Sequence, residues 1–317
     1  MQRLSALLAL ILLSLLSACS NEPDGGSNPR LTLQLNWVPE PEFGGYYAAR
    51  ELGAFKEAGL NLDIRPGGPG VPVMQLVASG QATFGITSGD SLLVARERGI
   101  NVVAVFALYQ SFPQGIMAHA ERSLQTIADV FQGGTLAIEA GTPWHRLLEK
   151  RFGFGKIKAV PYSNNLGPFL HDPNFAQQCF ITAEPIAARH AGAHPRVFPI
   201  SDIGYNPYSG VIVTRREFPD RHPDQIAALI RAVRQGWQAY LADPVATNQL
   251  MHGLNPTMNL ATFSEAAEIQ KPLILGDNPS PQAIGRMELA RWRTLAEQLR
   301  DLGLISRVEP EAAFVYP

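Results

Sequence analysis

The stretch from residue 31 to residue 53 predicts a strand, a loop and a helix in direct succession. Three leucines at its start alternate with polar residues, which is the period-two pattern of a strand with one buried face. Pro39 and Pro41 follow, and because proline has no backbone N–H they end strand pairing and predict a loop. The next residues, 43–52, predict a short helix that ends at Gly53. Open α/β sheets bind ligands outside the carboxyl ends of their strands, so this order favours an α/β fold with a ligand site on the first loop.

The first loop is a candidate binding site because it combines polar, aromatic and glycine residues in one bend. Paired glycines at the start of a helix let backbone N–H groups approach a ligand closely. The alternative is an ordinary first strand and turn in which Trp37 covers part of the core. We favour binding, and the contacts expected from this loop are Asn36, Trp37, Glu40, Phe43, Gly44, Gly45 and Tyr46.

The alternation of strands and helices continues and then restarts, which predicts two α/β units. The first unit begins at 31–112 and contains an apolar strand at 102–108 that suits a buried parallel sheet. The second unit spans 113–204. A strand at 210–214 is expected to return to the first unit, so that 205–317 completes it with C-terminal helices. The second unit is then inserted into the first, as in a two-lobed solute receptor.

Several elements are predicted from local patterns alone. Helices are expected at 123–131, 224–242 and 283–302, and a strand at 180–183 is expected to end just before Glu184. Residues 262–265 have the spacing of a capping box at a helix start. Trp237 and Trp292 lie in apolar stripes at helical spacing, so both are expected in the core.

Further candidate contacts lie at the ends of other predicted strands. A glycine-proline loop offers backbone donors at Gly68, and a plain surface turn explains the same residues equally well. Helix capping alone would account for Ser88 and Asp90, but their place after a strand favours the cleft. The complete set from these strand ends and from the connection after the second unit is Gly68, Ser88, Gly89, Asp90, Tyr109, Gly141, Thr142, Glu184, Tyr205 and Asn206.

The first 18 residues predict a signal peptide, with a basic start and an apolar run too short to span a bilayer. The run ends in a tetrad, 16–19, that resembles a bacterial lipobox, so Cys19 is expected to carry lipid after cleavage. A plain secretory signal is the alternative. Residues 19–30 then form a flexible tether. We therefore expect a protein of the cell envelope, anchored to a membrane by lipid and facing the periplasm or the exterior.

Composition and motifs argue against several classes of protein. The formal net charge of -2 and the lack of a basic run argue against nucleic-acid binding. No phosphate-binding loop or nucleophile elbow is present, and His190 and His194 have no nearby Glu or Cys that would indicate zinc. Glu40 and Glu42 are expected to point apart on the loop, and the second cysteine, Cys179, is expected in the core. We predict no metal, no cofactor and no catalysis.

The residues of the first loop also carry a family resemblance. The pattern of Leu35, Asn36, Trp37 and Pro39, continued by 45–49, 53–60, 79–85 and 183–185, resembles the substrate-binding proteins of ABC importers for thiamine-pyrimidine precursors. Binding proteins for riboflavin, alkanesulfonates, taurine and nitrate are members of the same superfamily. The likeness extends over about the whole mature chain.

The resemblance implies a periplasmic-binding-protein type II fold. Two lobes, each a mostly parallel sheet flanked by helices, would be joined by a hinge of two crossing strands. It further implies a monomer that works with ABC permease and ATPase subunits. The family's ligand residues carry over to Asn36, Trp37 and the turn at 44–46, and its second-lobe acid carries over to Glu184. Related pyrimidine-synthesising enzymes have a cysteine-rich motif that this sequence lacks, which counts against the enzyme branch.

The candidate residues predict a planar heterocycle such as a pyrimidine or a flavin as the solute. Aromatic faces suit a flat ring, and carboxylates suit its N–H donors. The aromatic candidates are Trp37, Phe43, Tyr46, Tyr109, Trp144 and Tyr205, and the acidic candidates are Glu40, Asp90 and Glu184. An anion-binding protein of the sulfonate, taurine or nitrate type is the alternative. An enzyme of pyrimidine biosynthesis or a sensor domain is the alternative of another class.

Overall fold

A computed structural model describes residues 29–278, 280–307 and 309–315. The predicted signal peptide, Cys19 and the tether as far as residue 28 lie outside the described residues. No helix in the described part of the chain is long and apolar enough to cross a membrane.

Ten strands of the described chain form two five-stranded sheets. The strands are β1 (Arg30–Gln34), β2 (Asn61–Arg65), β3 (Phe84–Thr87), β4 (Val102–Tyr109), β5 (Gln114–His119), β6 (Thr135–Ile138), β7 (Lys158–Pro161), β8 (Phe175–Phe180), β9 (Pro195–Pro199) and β10 (Ser209–Arg215). The first sheet has the order β2-β1-β3-β10-β4, and the second has the order β7-β6-β8-β5-β9.

Each sheet is mostly parallel and contains one inverted strand. In the first sheet β10 runs antiparallel between β3 and β4, and in the second β5 runs antiparallel between β8 and β9. The chain therefore builds four strands of the first sheet, builds the whole second sheet and then returns with β10. The predicted return of residues 210–214 to the first unit is confirmed by this pairing. Every residue of β4 is buried, as its apolar sequence predicts.

Helices cover both sheets and extend the first one. They are α1 (Gly44–Glu51), α2 (Ala54–Glu57), α3 (Val73–Ala78), α4 (Gly89–Glu97), α5 (Ile127–Val130), α6 (Pro143–Phe152), α7 (Gly167–His171), α8 (Glu184–His190), α9 (Glu217–Arg221), α10 (Pro223–Ala242), α11 (Val245–Leu254), α12 (Leu260–Leu275) and α13 (Leu289–Asp301). Short 3-10 turns include Pro41–Phe43. We call the first sheet with its helices the first lobe, and the second sheet with its helices the second lobe.

The buried side chains of each lobe explain why these elements pack together. Trp237 on α10 and Trp292 on α13 are fully buried, as their apolar stripes predict. Cys179 on β8 is 1% exposed and lies in the core of the second lobe, as expected. Burial of the Trp237 and Trp292 rings contributes about 2–3 kcal/mol each to the stability of the fold, which holds the two long helices on the sheet.

The strand predicted at 180–183 is wrong, and the error changes the setting of Glu184. The strand is β8, which ends at Phe180, and a turn follows. The pattern failed because β8 contains the adjacent polar residues Gln177 and Gln178, which are nevertheless buried. The Gln178 side-chain oxygen accepts a 2.6 Å hydrogen bond from the Glu139 backbone N–H. Glu184 is therefore the first residue of a helix and not the end of a strand.

Helix starts account for the remaining differences. The helix expected from residue 283 begins at Leu289, because Gly285 has a φ of 90° and packs against the ring of Phe106, which breaks the helix. The helix expected at 123–131 shrinks to α5, which starts after a capping box of Thr126 with Asp129. The capping box expected at 262–265 is also wrong. The cap of α12 is Asn259, whose side chain accepts a 2.8 Å bond from the Thr262 N–H.

Candidate functional site

The chain passes between the lobes twice, after β4 and before β10, and one arginine ties both crossings together. The Arg291 guanidinium on α13 donates to the carbonyl of Gln110 in the first crossing at 2.7 Å. It also donates to the carbonyls of Asn206 and Pro207 in the second crossing, at 2.8 and 3.0 Å. The Asn206 side chain accepts a 2.7 Å bond from the Phe112 N–H, so the crossings also bond to each other. Asn206 thus has a structural role at the crossing and does not line the cavity described next.

A cavity of about 630 Å³ lies between the lobes, where the first loop faces strand and helix ends of the second lobe. Residues of both lobes line it. The candidates predicted from the sequence that line it are Asn36, Trp37, Glu40, Phe43, Gly68, Ser88, Asp90, Tyr109, Gly141, Thr142 and Glu184. Trp144, an aromatic candidate from the sequence, also lines it. Lining residues that the sequence did not single out include Glu42, Phe112, Gln114, Glu139, Tyr162, Gln178 and Phe180.

The C-terminal helices hold the first loop in position. The Asn255 side chain donates to the carbonyl of Pro39 at 3.1 Å, and the Gln270 side chain donates to the carbonyl of Pro41 at 3.1 Å. Trp37 is half-buried with its ring on the cavity, and Glu40 is 8% exposed. A loop that is fixed by buried amides presents its side chains without further ordering.

The paired glycines serve helix packing, which corrects the expected ligand role of Gly44, Gly45 and Tyr46. A Cβ at Gly44 would lie 2.3 Å from the ring of Tyr240, and a Cβ at Gly45 would lie 2.2 Å from the ring of Trp237. Both rings belong to α10, so the glycines let α1 approach α10 closely. Tyr46 is fully buried beside the same Trp237 ring, and none of these three residues lines the cavity.

Asp90 is a buried carboxylate whose hydrogen bonds come from the protein itself. It is 1% exposed and accepts 2.8 Å bonds from the Ser91 N–H and the Tyr205 hydroxyl, together with a bond from the Ser88 hydroxyl. Burial raises the pKa of Asp90, and these bonds oppose the rise. Tyr205 therefore orients Asp90 from behind and does not line the cavity. Gly89 does not line it either, because its N–H donates to the carbonyl of Tyr208 at 2.8 Å and it packs on Trp292.

On the second lobe, Glu184 lies at the start of α8 and faces the cavity. Its carboxylate accepts a 2.7 Å bond from the Phe180 N–H and a bond from the Tyr162 hydroxyl. Burial raises the pKa of Glu184, and these two bonds lower it. Thr142 caps α6, accepting a 3.3 Å bond from the His145 N–H at the same edge of the sheet. Opposite, the Tyr109 hydroxyl donates to the Gln270 side chain at 2.8 Å, and its ring contacts Phe180 edge to face.

Glu42 is a site residue that sequence reasoning missed, and the expectation that Glu40 and Glu42 point apart is wrong. Burial and the charges of Glu40 and Glu184 raise the pKa of Glu42 well above its ordinary value. Burial and the charge of Glu184 raise the pKa of Glu40 to about 8, although a hydrogen bond to Trp37 lowers it. The loop between them is a short 3-10 turn that begins at Pro41, the position that proline favours, and both acids line the same cavity.

The charges around the cavity are strongly unbalanced. Among the described residues, five carboxylates line it, and Arg98, which is exposed, is the sole cationic side chain in the lining. No group of three or more His, Cys, Asp or Glu in the described chain could hold a metal ion. His190 bonds to Thr262 and Glu265 instead, with His190 Nδ1 and Thr262 Oγ1 3.2 Å apart. The arrangement suits binding of an electron-poor or positively charged group between aromatic rings.

Known proteins resemble this chain over most of its length. The riboflavin-binding protein RibY of Chloroflexus aurantiacus is 25% identical, with 97% of this chain and 95% of the relative covered. The formylaminopyrimidine-binding protein of Halalkalibacterium halodurans is 22% identical, with 93% and 92% covered. The 4-amino-5-hydroxymethyl-2-methylpyrimidine phosphate synthase THI12 of Saccharomyces cerevisiae is 23% identical, with 74% and 73% covered.

Solved structures show the same architecture. The periplasmic aliphatic sulphonate binding protein SsuA of Escherichia coli superposes with a TM-score of 0.70 at 14% identity, covering 92% of this chain and 93% of SsuA. At this identity the likeness establishes the fold alone, and it confirms the predicted periplasmic-binding-protein fold.

A family model described as NMT1/THI5 like matches residues 40–247, which include the end of the first loop from Glu40, the whole second sheet and β10. The match covers more than half of the chain. This chain belongs to the NMT1/THI5-like family.

Proposed function

We propose that the chain is an extracytoplasmic solute-binding protein that captures a small planar heterocycle between its lobes and delivers it to an ABC permease. One observation carries the proposal: aromatic rings and carboxylates of both lobes face one cavity of about 630 Å³. That volume suits a vitamin-sized molecule. The relatives named for riboflavin and formylaminopyrimidine, both flat heterocycles, support the assignment.

The side chains of the cavity favour a ring over an anion. Trp37 of the first lobe and Phe180 of the second are partly exposed rings in the lining, and the buried rings of Phe43, Tyr109 and Trp144 lie behind it. A sulfonate would need arginine, lysine or several free backbone N–H groups around it. The described lining instead carries five carboxylates against the exposed Arg98. The likeness to a sulfonate-binding protein therefore extends to the fold and not to the chemistry that we propose for this site.

Binding between two lobes implies closure as the working motion. A solute that contacts Trp37 on one side and Glu184 on the other stabilises the closed arrangement by the contacts to both. The two crossings bonded to Arg291 are the natural hinge, because they are the connections that join the sheets in the described chain. A permease that recognises the closed form would then receive loaded protein.

The named synthase among the relatives raises an enzyme as the alternative class. Cys179, the cysteine of the described chain, is 1% exposed, and burial raises the pKa of its thiol well above the ordinary value. A buried neutral thiol is a poor nucleophile. We therefore propose capture and release of the solute without chemical turnover.

The proposed location follows from the start of the sequence. Cleavage before Cys19 and lipidation of that residue would leave a monomer held at a membrane by a tether that ends at residue 29, because Arg30 begins β1. The binding lobes would then face the periplasm or the exterior, within reach of a permease and its ATPase subunits.

A thermal-shift screen with pyrimidines, flavins, vitamins and sulfonates on the purified protein tests the proposed function. We expect at least one flat heterocycle to raise the melting temperature, and mass spectrometry to recover that compound unchanged after prolonged incubation. Stabilisation by sulfonates alone would contradict the heterocycle assignment. Conversion of the bound compound would contradict the absence of turnover.

A further inference from the structure

Three carboxyl groups from opposite lobes line the same cavity. Glu40 and Glu42 flank Pro41 on the first loop, and Glu184 begins α8 on the second lobe. Glu184 acts electrostatically on both Glu40 and Glu42, and Glu40 acts on Glu42, so the three groups are close enough to repel one another.

The protein offers these carboxyl groups only neutral neighbours in the described residues. Glu40 accepts a hydrogen bond from the Trp37 indole, and Glu184 accepts hydrogen bonds from the Tyr162 hydroxyl and the Phe180 backbone N–H. Other titratable groups that face the three acids are also neutral near pH 7, namely Tyr46, Tyr109 and Cys179. None of the ion pairs in the described chain includes one of the three acids.

Glu42 shows most directly what is missing. Its side chain is half-buried and lines the cavity, and no cation of the described chain pairs with it. Glu40 is 8% exposed, so water compensates little of its charge. Buried carboxylates without a partner are costly, and like charges at one site cannot all ionise. The site is therefore incomplete until a solute supplies either a positive charge or groups that accept protons from the acids.

The aromatic residues decide between these two possibilities. Trp37 and Phe43 lie on the same loop as Glu40 and Glu42, and Phe180 lies beside Glu184. Aromatic faces attract organic cations through their quadrupole, and the attraction is strongest where water is excluded. The aromatic rings and the carboxylates of the site therefore both attract a positive charge. A neutral solute ring would leave the negative charge of the acids uncompensated.

We infer that the solute is a flat heteroaromatic cation whose positive charge lies among Glu40, Glu42 and Glu184. This inference rests on the proposed function and narrows its solute class. A consequence is proton release on binding, because a cation favours the ionised acids. For Glu40 the affinity for a fixed cation rises as the pH rises towards about 8, since the protonated acid must lose its proton to pair with the cation.

Pairs of solutes that differ only by a fixed charge test the inference. Suitable pairs are 1-methylnicotinamide with nicotinamide and N-methylquinolinium with quinoline, each titrated calorimetrically into the purified protein. At least one cation should bind about tenfold or more tightly than its neutral partner, with proton release that is detected as a dependence of the heat on the buffer's ionisation enthalpy. Neutral partners that bind as tightly as or more tightly than the cations overturn the cation class and leave the proposed function intact. Failure of every cation, neutral ring and sulfonate to bind overturns both.

A charge-neutral variant with a matched control sharpens the test. Glu42→Gln should weaken binding of the cation about tenfold and leave binding of its neutral partner unchanged, because the amide keeps the shape and removes the charge. Glu57→Gln removes one carboxylate from the exposed surface of α2 and should change neither. Equal weakening of the cation and its neutral partner by Glu42→Gln would assign a steric role to Glu42 and overturn the inference.

Discussion

Trp37 is the aromatic residue on which the proposed site depends most directly. Its ring is half-buried and lies on the cavity, and its indole bonds to Glu40. A stacked aromatic pair contributes about 0.5–1.5 kcal/mol beyond the area that it buries. At the scale of single residues, we therefore expect Trp37 to contribute to solute binding and little to the stability of the fold.

Trp37→Ala should weaken solute binding by about tenfold or more, because both the stacking and part of the burial are lost. The melting temperature of the ligand-free protein should change little, because the Trp37 ring is only half-buried and packs at the edge of the first-lobe core. Calorimetry with the best compound of the screen measures the first effect. Trp37→Phe keeps a ring and should recover part of the affinity, and an unchanged affinity in Trp37→Ala would remove Trp37 from the site.

Glu40 predicts how the stability of the ligand-free protein depends on pH. Its pKa is 4.5 in the unfolded chain and about 8 in the fold, chiefly through burial. Between these values the folded state holds a proton that the unfolded state has lost, so the stability is full below pH 4.5 and decreases as the pH rises towards 8. The free energy of unfolding should decrease by on the order of 1 kcal/mol per pH unit, and the melting temperature should fall by about 2–4 °C per pH unit.

Glu40→Gln should flatten this decline, because glutamine does not ionise, and should raise the melting temperature at the alkaline end of the range. Thermal unfolding of both proteins across the range from 4.5 to about 8 measures the effect. The same decline in the variant as in the wild type would mean that Glu40 is not held protonated by its surroundings.

At the scale of elements, the contact of α1 with α10 depends on three glycines. Gly44 and Gly45 receive the rings of Tyr240 and Trp237, and a Cβ at Gly236 would lie 2.1 Å from the carbonyl oxygen of Gly45. The helices can approach this closely because the glycines of one helix leave room for the backbone and the side chains of the other. The first loop directly precedes α1, so this packing also positions Glu42 and Phe43 at the cavity.

Gly45→Ala should destabilise the protein by about 1–3 kcal/mol, because a methyl group placed against the Trp237 ring overpacks the contact. Gly253→Ala is the matched control. Gly253 lies within α11, and nothing lies within 4 Å of an added Cβ there. The control should therefore be neutral or stabilise by about 0.5–1 kcal/mol. Chemical unfolding of the two variants compares them, and equal stability would contradict the close packing.

The glycine pair also shows where sequence reasoning stops. The period-two and helical patterns predicted β4, β10 and α10, because hydrophobic periodicity reports burial directly. A glycine pair has no such signature. Whether it faces a ligand or a neighbouring helix depends on Trp237 and Tyr240, which are far along the chain. Glu42 was missed for a similar reason, since its importance comes from Glu184 on the other lobe.

At the scale of the whole molecule, an ion pair joins the two lobes apart from the crossings. Arg189 and His190 at the end of α8 contact the carboxylate of Glu265 on α12, with the His190 nitrogen 3.2 Å from the carboxylate. The same helix begins with Glu184 in the cavity. The position of α8 therefore couples the site to the contact between the lobes.

Glu265→Gln should weaken solute binding by about two- to fivefold at low salt, because a partly exposed ion pair contributes about 0.2–1 kcal/mol to the contact between the lobes. The loss should appear as faster dissociation and should disappear at high salt. Stopped-flow dissociation measures it. Asp220→Asn breaks the pair of Arg216 with Asp220 within the first lobe and should have no effect. An equal effect of both variants would contradict a role in closure.

The central claim is that one solute contacts both lobes in the cavity. A crystal structure of the complex, with the compound that raises the melting temperature most, tests this claim directly. The account predicts that the compound lies between Trp37 and Glu184, with its ring against the indole and its charged or N–H-bearing edge towards the carboxylates. A compound bound outside the cavity, or one that contacts a single lobe while Trp37 and Glu184 remain apart from it, would contradict the account.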